Sequence, residues 1–101
     1  MGDVSMTAER QLRLLKCLGD ETRFKILLTL KSGERCVCEI VKELGKEQSL
    51  ISHHLRALKV CGLIKSKRDG RKIKYKLVDP SISELLIKTD EISNKLLKRQ
   101  C

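Results

Sequence analysis

The sequence predicts a mainly α-helical domain with one β-hairpin, in the order α-α-α-α-β-β-α, and three observations lead to this fold class. From about residue 7 to Gly62, apolar residues recur at the three- and four-residue spacing of helices. After Gly62 the period changes to two, and apolar and basic residues alternate up to Leu77. A helical pattern returns after Pro80. Helices, a helix-turn-helix, a basic hairpin and a last helix make the winged helix-turn-helix plan.

Two helices are predicted at the beginning of the chain. The first covers residues 7–18 and carries leucines at three-residue spacing on one face. Asp20 is a good N-cap for the second, and Glu21 in its first turn suits the positive end of the helix dipole. This second helix runs to about Lys31, where Ser32-Gly33 is a stop signal.

A helix-turn-helix is predicted in the middle of the chain. A short third helix over about residues 37–44 ends at Gly45, and Lys46 and Glu47 form a tight turn before a fourth helix begins at Gln48. Two short helices joined by a few residues that include glycine are typical of this motif. Glutamate is a poor N-cap, and Glu47 would face a phosphate unfavourably at the start of this helix.

The fourth helix is predicted to have one apolar and one polar face. The apolar face carries Leu50, Ile51, His54, Leu55, Leu58 and Cys61. The polar face carries Ser49, Ser52, His53, Arg56 and Lys59. All of these polar groups can donate a proton, which suits the base edges and phosphates of a major groove. Many amphipathic helices share this pattern, so the segment that follows decides its meaning.

Positive charge is concentrated in that next segment. The chain has a net charge of +9, and residues 62–77 contain seven basic side chains and only Asp69 as an acid. A scattered excess would indicate a solvated surface, whereas this concentration favours nucleic acid as the partner. Asp69-Gly70 is a two-residue signal for a type I′ hairpin, which predicts a basic wing that binds phosphates.

The last helix is predicted to begin with Asp79 as N-cap and Pro80 at its first position. Its apolar stripe is longer than one small core needs, and it consists of Ile82, Leu85, Leu86, Ile92, Leu96 and Leu97. We therefore expect residues 1–101 to form a single domain whose first and last helices, about 7–18 and 80–98, form a dimer interface.

The remaining composition indicates a soluble cytoplasmic protein with an aliphatic core. The 101 residues include one Phe, one Tyr and no Trp, and no apolar run approaches the length of a membrane span. The first residues show no basic head followed by an apolar run, so we expect no signal peptide.

The motifs, taken together and in order, resemble the ArsR/SmtB family of repressors over about residues 8–80. They are L-G-D-E-T-R-F-K-I-L (18–27), C-V-C-E-I (36–40), S-H-H-L-R-A-L (52–58), G-L-I (62–64) and D-G-R-K-I-K-Y (69–75). The resemblance implies a homodimer on a near-palindromic operator that is released when an effector, often a metal or metalloid, binds. It also implies that His54 faces inward in a structural role.

The resemblance assigns nine residues of this chain to double-stranded DNA. They are Gln48, Ser49, Ser52, His53 and Arg56 of the fourth helix and Lys67, Arg68, Arg71 and Lys72 of the wing.

Cys36 and Cys38 are the candidate effector residues. Residues i and i+2 point to the same side only in an extended chain, so two thiolates share an ion here only if the segment is extended or just enters its helix. A helix N-terminus should lower the pKa of a thiol. In the family, C-V-C is the effector box, but the third cysteine of its arsenic form is replaced by Val41.

Several effectors remain open for this pair. Two thiolates are an incomplete set for zinc or arsenite, so a third ligand has to come from elsewhere in either chain. We consider As(III), zinc, cadmium or a related soft metal, a thiol oxidation switch, and no sensing at all. The last helix has no histidine, so we expect no metal site there.

The other cysteines are interpreted as packing residues. The five cysteines form no C-x-x-C pair, and an odd number without a signal peptide argues against a disulfide scaffold. Cys17 and Cys61 are therefore expected to be small buried apolar side chains. Cys101, at the end of the sequence, is the weakest candidate for a ligand.

Two other classes of function are weighed against DNA binding. A winged helix used only for protein–protein assembly would lack salt-dependent DNA affinity, and the basic hairpin argues against it. An enzyme is not expected, because no Ser-His-Asp or Cys-His arrangement and no glycine-rich phosphate loop is present.

Overall fold

The computed structural model describes residues 4–100, with side chains over residues 5–98. The helices are α1 (Val4–Leu18), α2 (Glu21–Lys31), α3 (Val37–Leu44), α4 (Gln48–Val60) and α5 (Pro80–Gln100). The strands are β1 (Arg35–Cys36), β2 (Ile64–Asp69) and β3 (Lys72–Leu77). The order of helices and hairpin is the predicted one, and the short strand β1 is an addition to it.

The helix boundaries follow the capping residues of the sequence. The Asp20 carboxylate accepts a hydrogen bond of 3.0 Å from the backbone N–H of Arg23 at the start of α2. Asp79 accepts one of 2.8 Å from the backbone N–H of Ser81 at the start of α5. Both predicted caps are therefore confirmed. Glu47 precedes α4 without a side-chain cap.

The core lies where α2, α3 and α4 meet, and it is aliphatic. The side chains in it that are almost completely buried are Ile26, Leu27, Ile40, Ile51, Leu55, Leu58, Ile64 and Leu86. Phe24 and Tyr75 pack against its edge. Each such side chain removed from water stabilises the fold by roughly 1.5–3 kcal/mol, so this cluster fixes α4 with one face inward.

The sheet has the order β1-β3-β2, and all its pairs are antiparallel. Ile64 lies opposite Leu77 and Asp69 lies opposite Lys72, so the two-residue loop is Gly70–Arg71. The predicted turn at Asp69-Gly70 is thus one residue too early. Gly70 has a φ of 64°. Arg71 does not have a positive φ, since only glycines do so among the described residues. Type I′ needs positive φ at both loop residues, so the pattern is that of type II′.

Cys17 and Cys61 are joined by a disulfide, which corrects their interpretation as two packing thiols. Cys17 is buried in the last turn of α1. Cys61 is the C-cap of α4 and is exposed. The helical pattern places Cys61 on the inner face, but the helix ends at Val60. The odd number of cysteines argues against a framework of several disulfides, but it does not exclude one disulfide.

The long helix α5 and the helix α1 keep large apolar side chains in solvent. In α5 the exposed fractions are 48% for Ile92, 55% for Leu96 and 61% for Leu97. In α1 Leu12 and Leu15 are similarly exposed. The surplus expected from the sequence is therefore present on the surface of the single chain. Within residues 4–100, no helix combines the length and apolar character needed to cross a membrane.

Candidate nucleic-acid interface and thiol pair

The helix α4 presents its predicted polar residues on one side. Positions 48, 49, 52, 53 and 56 fall within an arc of about 140° on a regular helix. Gln48, Ser49, His53 and Arg56 are exposed there, and Ser52 is half-buried. The opposite side packs into the core. Tight packing on one side thus leaves a continuous polar surface on the other.

His54 lies on the buried side of α4, as the resemblance implies. Its Nδ1 is 3.7 Å from Asp20 Oδ2 and has no hydrogen-bond partner among the described residues. Its ring meets the His53 ring edge-on, with the centroids 5.3 Å apart. The pKa of Asp20 is lowered, chiefly by the backbone N–H of Arg23 and further by His54. Asp20 therefore serves two helices, capping α2 and facing α4.

The hairpin β2–β3 carries its basic residues on two different faces. Residues opposite each other in an antiparallel pair share a face, and successive residues alternate. One face of the hairpin contains Lys65, Lys67, Asp69, Lys72, Lys74 and Lys76. Arg68 lies on the other face opposite Ile73, and Arg71 is in the loop. The four predicted wing residues are all exposed, but they do not share one face.

One lysine of the wing is bound within the protein. Lys74 Nζ is 3.2 Å from Asp69 Oδ2. The pKa of Lys74 is raised, first by this hydrogen bond with Asp69 and to a smaller extent by Glu34 and Glu39. The carboxylate of Asp69 therefore competes with any phosphate for Lys74.

A contact between α4 and the wing was not predicted from the sequence. Lys59 Nζ donates a hydrogen bond of 2.7 Å to Ser66 Oγ. Lys59 lies in the last turn of α4 and Ser66 near the beginning of β2. A serine among the alternating residues of a basic strand is the only sequence signal for this contact, and it does not identify the partner.

The two candidate effector thiols lie where β1 passes into α3. Cys36 is the N-cap of α3, with extended φ and ψ of −84° and 165°, and is buried. Cys38 is exposed in the first turn. Their sulfur atoms are 2.8 Å apart. The chain is therefore extended at the first thiol and helical from the next residue on, as the i, i+2 spacing requires for a shared ion.

The pKa of Cys36 is raised above its ordinary value of 9.0, contrary to the expectation for a helix N-terminus. The largest cause is the hydrogen bond with the Cys38 thiol, followed by the carboxylate of Glu39. The backbone N–H of Glu39 acts in the opposite direction and is outweighed. Glu39 also accepts a hydrogen bond of 3.0 Å from the backbone N–H of Cys36, which is the main reason its own pKa is lowered.

The thiol pair satisfies part of a metal site. Two sulfur ligands about 2.3 Å from one tetrahedral ion stand about 3.8 Å apart, so a small separation of the two thiols would admit the ion. No group of three or more His, Cys, Asp or Glu residues suited to a metal occurs within residues 4–100. Cys101 lies outside the described residues. Any further ligand has to come from outside the described part of this chain.

The thiol pair is connected to the wing through β1. Cys36 lies opposite Lys74 of β3, and Lys74 lies opposite Lys67 of β2. Cys36 is therefore joined to the basic face of the hairpin through two adjacent strands.

Comparisons with known proteins agree with this geometry. A family model described as bacterial regulatory protein, arsR family, matches residues 20–66. The HTH-type transcriptional regulator MJ1325 of Methanocaldococcus jannaschii is 40% identical over 85 residues, which cover 83% of this chain and 96% of that protein. The arsenical resistance operon repressor of Escherichia coli is 40% identical over 67 residues, covering 65% of this chain but only 57% of the repressor.

A solved structure has the same fold over almost the whole chain. The homodimeric winged helix-turn-helix DNA-binding domain Mb0332 of Mycobacterium bovis, determined by solution NMR, superposes with a TM-score of 0.87. The sequences are 26% identical, and the match covers 98% of this chain and 93% of that domain. The predicted winged helix-turn-helix is thereby confirmed.

Proposed function

The chain belongs to the arsR family of bacterial regulatory proteins, and on that premise we propose how it binds DNA and what releases it. It is a DNA-binding transcriptional repressor, and the relatives are regulators, which confirms that it is not an enzyme. In our proposal it acts as a homodimer on a near-palindromic operator and leaves the DNA when a soft metal or metalloid binds Cys36 and Cys38. The exposed polar arc of α4 beside a hairpin of net charge +6 carries the proposal.

The DNA-binding surface consists of the polar side of α4 and the wing. Arg56 is the best candidate for a guanine, because guanidinium groups bind its O6 and N7 together. The wing lysines neutralise phosphates and release counterions, which makes the affinity fall steeply with salt. In a symmetric dimer the two α4 helices enter successive major grooves about 34 Å apart.

The dimer interface is assigned to α1 and α5. Their exposed leucines and isoleucine are the largest apolar surplus of the chain, and burying them removes that area from water. The homodimeric state of the Mb0332 domain supports this assignment.

The effector is assigned to the thiophilic ions, with arsenite, zinc and cadmium as candidates. Two adjacent sulfurs favour soft ions over hard ones, and a relative represses an arsenical resistance operon. A bound ion separates the sulfurs of Cys36 and Cys38 from 2.8 Å to about 3.8 Å and draws a further ligand toward them. Because Cys36 is paired with the wing strand β3, the ion also biases the position of the wing. Release needs only a lower affinity of the ion-bound shape for DNA.

The DNA contacts are tested by fluorescence anisotropy with the natural promoter fragment. Arg56→Ala and Arg71→Ala should each weaken binding, and Arg56→Ala should cost about 1–3 kcal/mol if it reads a base. Lys42→Ala, an exposed lysine on α3, is the matched control and should bind like wild type. Unchanged affinity in both arginine variants would refute the assigned surface, and binding without salt dependence would point to a different function.

The effector site is tested by titrating the protein–DNA complex with arsenite, zinc, cadmium or a mild oxidant. One ion should release wild type while Cys36→Ser/Cys38→Ser stays bound, because serine hydroxyls are poor ligands for soft ions. Release by the oxidant alone would identify a thiol switch instead. If none of them releases the wild type, the two cysteines are not an effector site.

A further inference from the structure

The disulfide between Cys17 and Cys61 links two parts of the molecule that have different tasks. Cys17 ends α1, whose exposed leucines are assigned to the dimer interface, and Cys61 ends α4, whose polar side is assigned to DNA. The bond spans 44 positions of the sequence. It therefore fixes the end of α4 to the end of α1.

The surroundings of this disulfide are open and positively charged. A groove of about 570 Å³ lies over it, and its wall contains Glu9, Leu12, Arg13, Lys16, Arg23 and Ala57. Three cations and one carboxylate give the wall a net charge of +2. The exposed residue of the pair is Cys61, and Cys17 is buried.

The buried half of the bond is held in place by Arg23. Its Nε donates a hydrogen bond of 2.8 Å to the carbonyl oxygen of Cys17, and its Nη2 donates one of 3.2 Å to that of Lys16. The guanidinium thus caps the last turn of α1. These two hydrogen bonds do not involve Cys61, so they can hold the end of α1 in place after the bond to Cys61 has opened.

We propose that Cys17 and Cys61 form a reversible thiol–disulfide exchange site for small anionic thiols and their disulfides, and that it sets the position of α4 relative to α1. This pair is separate from Cys36 and Cys38. The effect on DNA affinity rests on the DNA binding proposed above, whereas the exchange chemistry does not.

The exchange proceeds in two balanced steps. The thiolate of an anionic thiol attacks the sulfur of Cys61, forms a mixed disulfide with it and displaces the thiolate of Cys17. A second thiolate then attacks the mixed disulfide, and the small disulfide leaves. The two thiols give their protons and two electrons to Cys17 and Cys61. Oxidation by a small disulfide is the reverse.

Charge determines which thiols react fast. For an assumed effective distance of about 10 Å, two net positive charges favour an approaching anion by a factor of about four in water and disfavour a cation equally. Salt screens this preference within about one Debye length.

The first experiment measures the exchange itself in a Cys36→Ser/Cys38→Ser/Cys101→Ser background. The disulfide form is reduced with 2-mercaptoethanesulfonate or with cysteamine at low salt, and each rate is expressed per thiolate. The anionic thiol should react about tenfold faster, and the two rates should converge in 1 M salt, a concentration at which the Debye length is about 3 Å.

A charge-removal variant identifies the groove as the cause. Arg13→Gln/Lys16→Gln should lose most of the preference, while Lys42→Gln/Lys46→Gln, with the same charge change elsewhere, should keep it. Equal rates for both thiols in the starting background would overturn the proposal. So would a reduced protein in which a small disulfide does not restore the bond between Cys17 and Cys61.

The second experiment measures operator affinity in both redox states of the same background. The disulfide form should bind at least about fivefold more tightly, because without the bond α1 and α4 hold the competent relative position for only part of the time. Cys61→Ser, which changes an exposed side chain, should bind like the reduced form under both conditions. Equal operator affinities of the disulfide and reduced forms would overturn the proposal that the bond sets the position of α4. If neither form binds while the charge preference is present, the DNA-binding proposal fails and the exchange site stands.

Discussion

At the scale of single residues, the neighbours of Cys36 matter more than its place at a helix end. The helix N-terminus offers partial positive charge, yet a thiol 2.8 Å away and a nearby carboxylate raise the pKa of Cys36. The thiol is therefore protonated near neutral pH. An ion that binds there has to displace protons, so its affinity should increase with pH until the raised pKa is passed.

The carboxylate of Glu39 can be tested as a cause of this shift. Glu39→Gln keeps an oxygen that accepts the backbone N–H of Cys36 but removes the negative charge, so the pKa of Cys36 should fall. The pH dependence of alkylation at Cys36, resolved by mass spectrometry of its peptide, measures this. Glu47→Gln, another exposed acid in the turn before α4, should leave the curve unchanged. A curve that moves to higher pH in Glu39→Gln would show that the charge has the opposite effect.

At the scale of elements, the recognition helix and the wing are joined by few contacts outside the core. Lys59 and Ser66 provide one of them, on the exposed side. β1 joins the wing to α3 instead, because Arg35 and Cys36 pair with β3 and α3 begins at the next residue. The direction of the wing relative to α4 therefore depends on the buried residues Leu58, Leu63 and Ile64 and, on the exposed side, on the hydrogen bond between Lys59 and Ser66, which is worth about 0.5–1.5 kcal/mol.

The contact between Lys59 and Ser66 gives a prediction that separates orientation from charge. Ser66→Ala removes the hydrogen bond but leaves the positive charge of Lys59 in place. If the contact aligns the wing, operator affinity should fall about two- to fivefold with an unchanged salt slope. Lys59→Met should lower the affinity as well, and a double-mutant cycle gives the coupling between the two. Wild-type affinity in Ser66→Ala would mean that Lys59 acts only through its charge.

The sequence predicted the elements better than it predicted their contacts. Asp20 and Asp79 carry local signals for a helix start, and a side-chain pattern of period two marks the hairpin. Which cysteine meets which, however, depends on the angle between α1 and α4, and no local pattern contains that angle. The pair Cys17–Cys61 was missed for this reason. The loop consists of Gly70 and Arg71 and not of the predicted Asp69 and Gly70, because Asp69 is paired with Lys72 in the sheet.

At the scale of the whole molecule, the chain is more extended than a compact domain of its length. Its radius of gyration is 15.3 Å, whereas about 13 Å is expected for 101 residues. The principal extents of 45 × 41 × 23 Å describe a flat shape. A flat monomer with long helices buries less apolar area than a sphere does, and the exposed residues of α1 and α5 are the consequence. In the proposed dimer, a second copy of the chain covers these residues.

The assignment of α5 to the interface predicts that dimerisation and DNA binding are lost together. Ile92→Glu/Leu96→Glu places two charges in the proposed apolar surface, which should make the protein monomeric in sedimentation equilibrium at micromolar concentration. A monomer holds one half-site only, so operator affinity should fall by roughly 10²- to 10⁴-fold, the factor typical of linked binding sites.

The control is Lys95→Glu/Lys98→Glu, which introduces the same two glutamates at polar residues that alternate with this stripe. This variant should remain dimeric. A dimeric Ile92→Glu/Leu96→Glu protein would move the interface away from this part of α5, and a monomeric one with full affinity would show that a single recognition helix is sufficient.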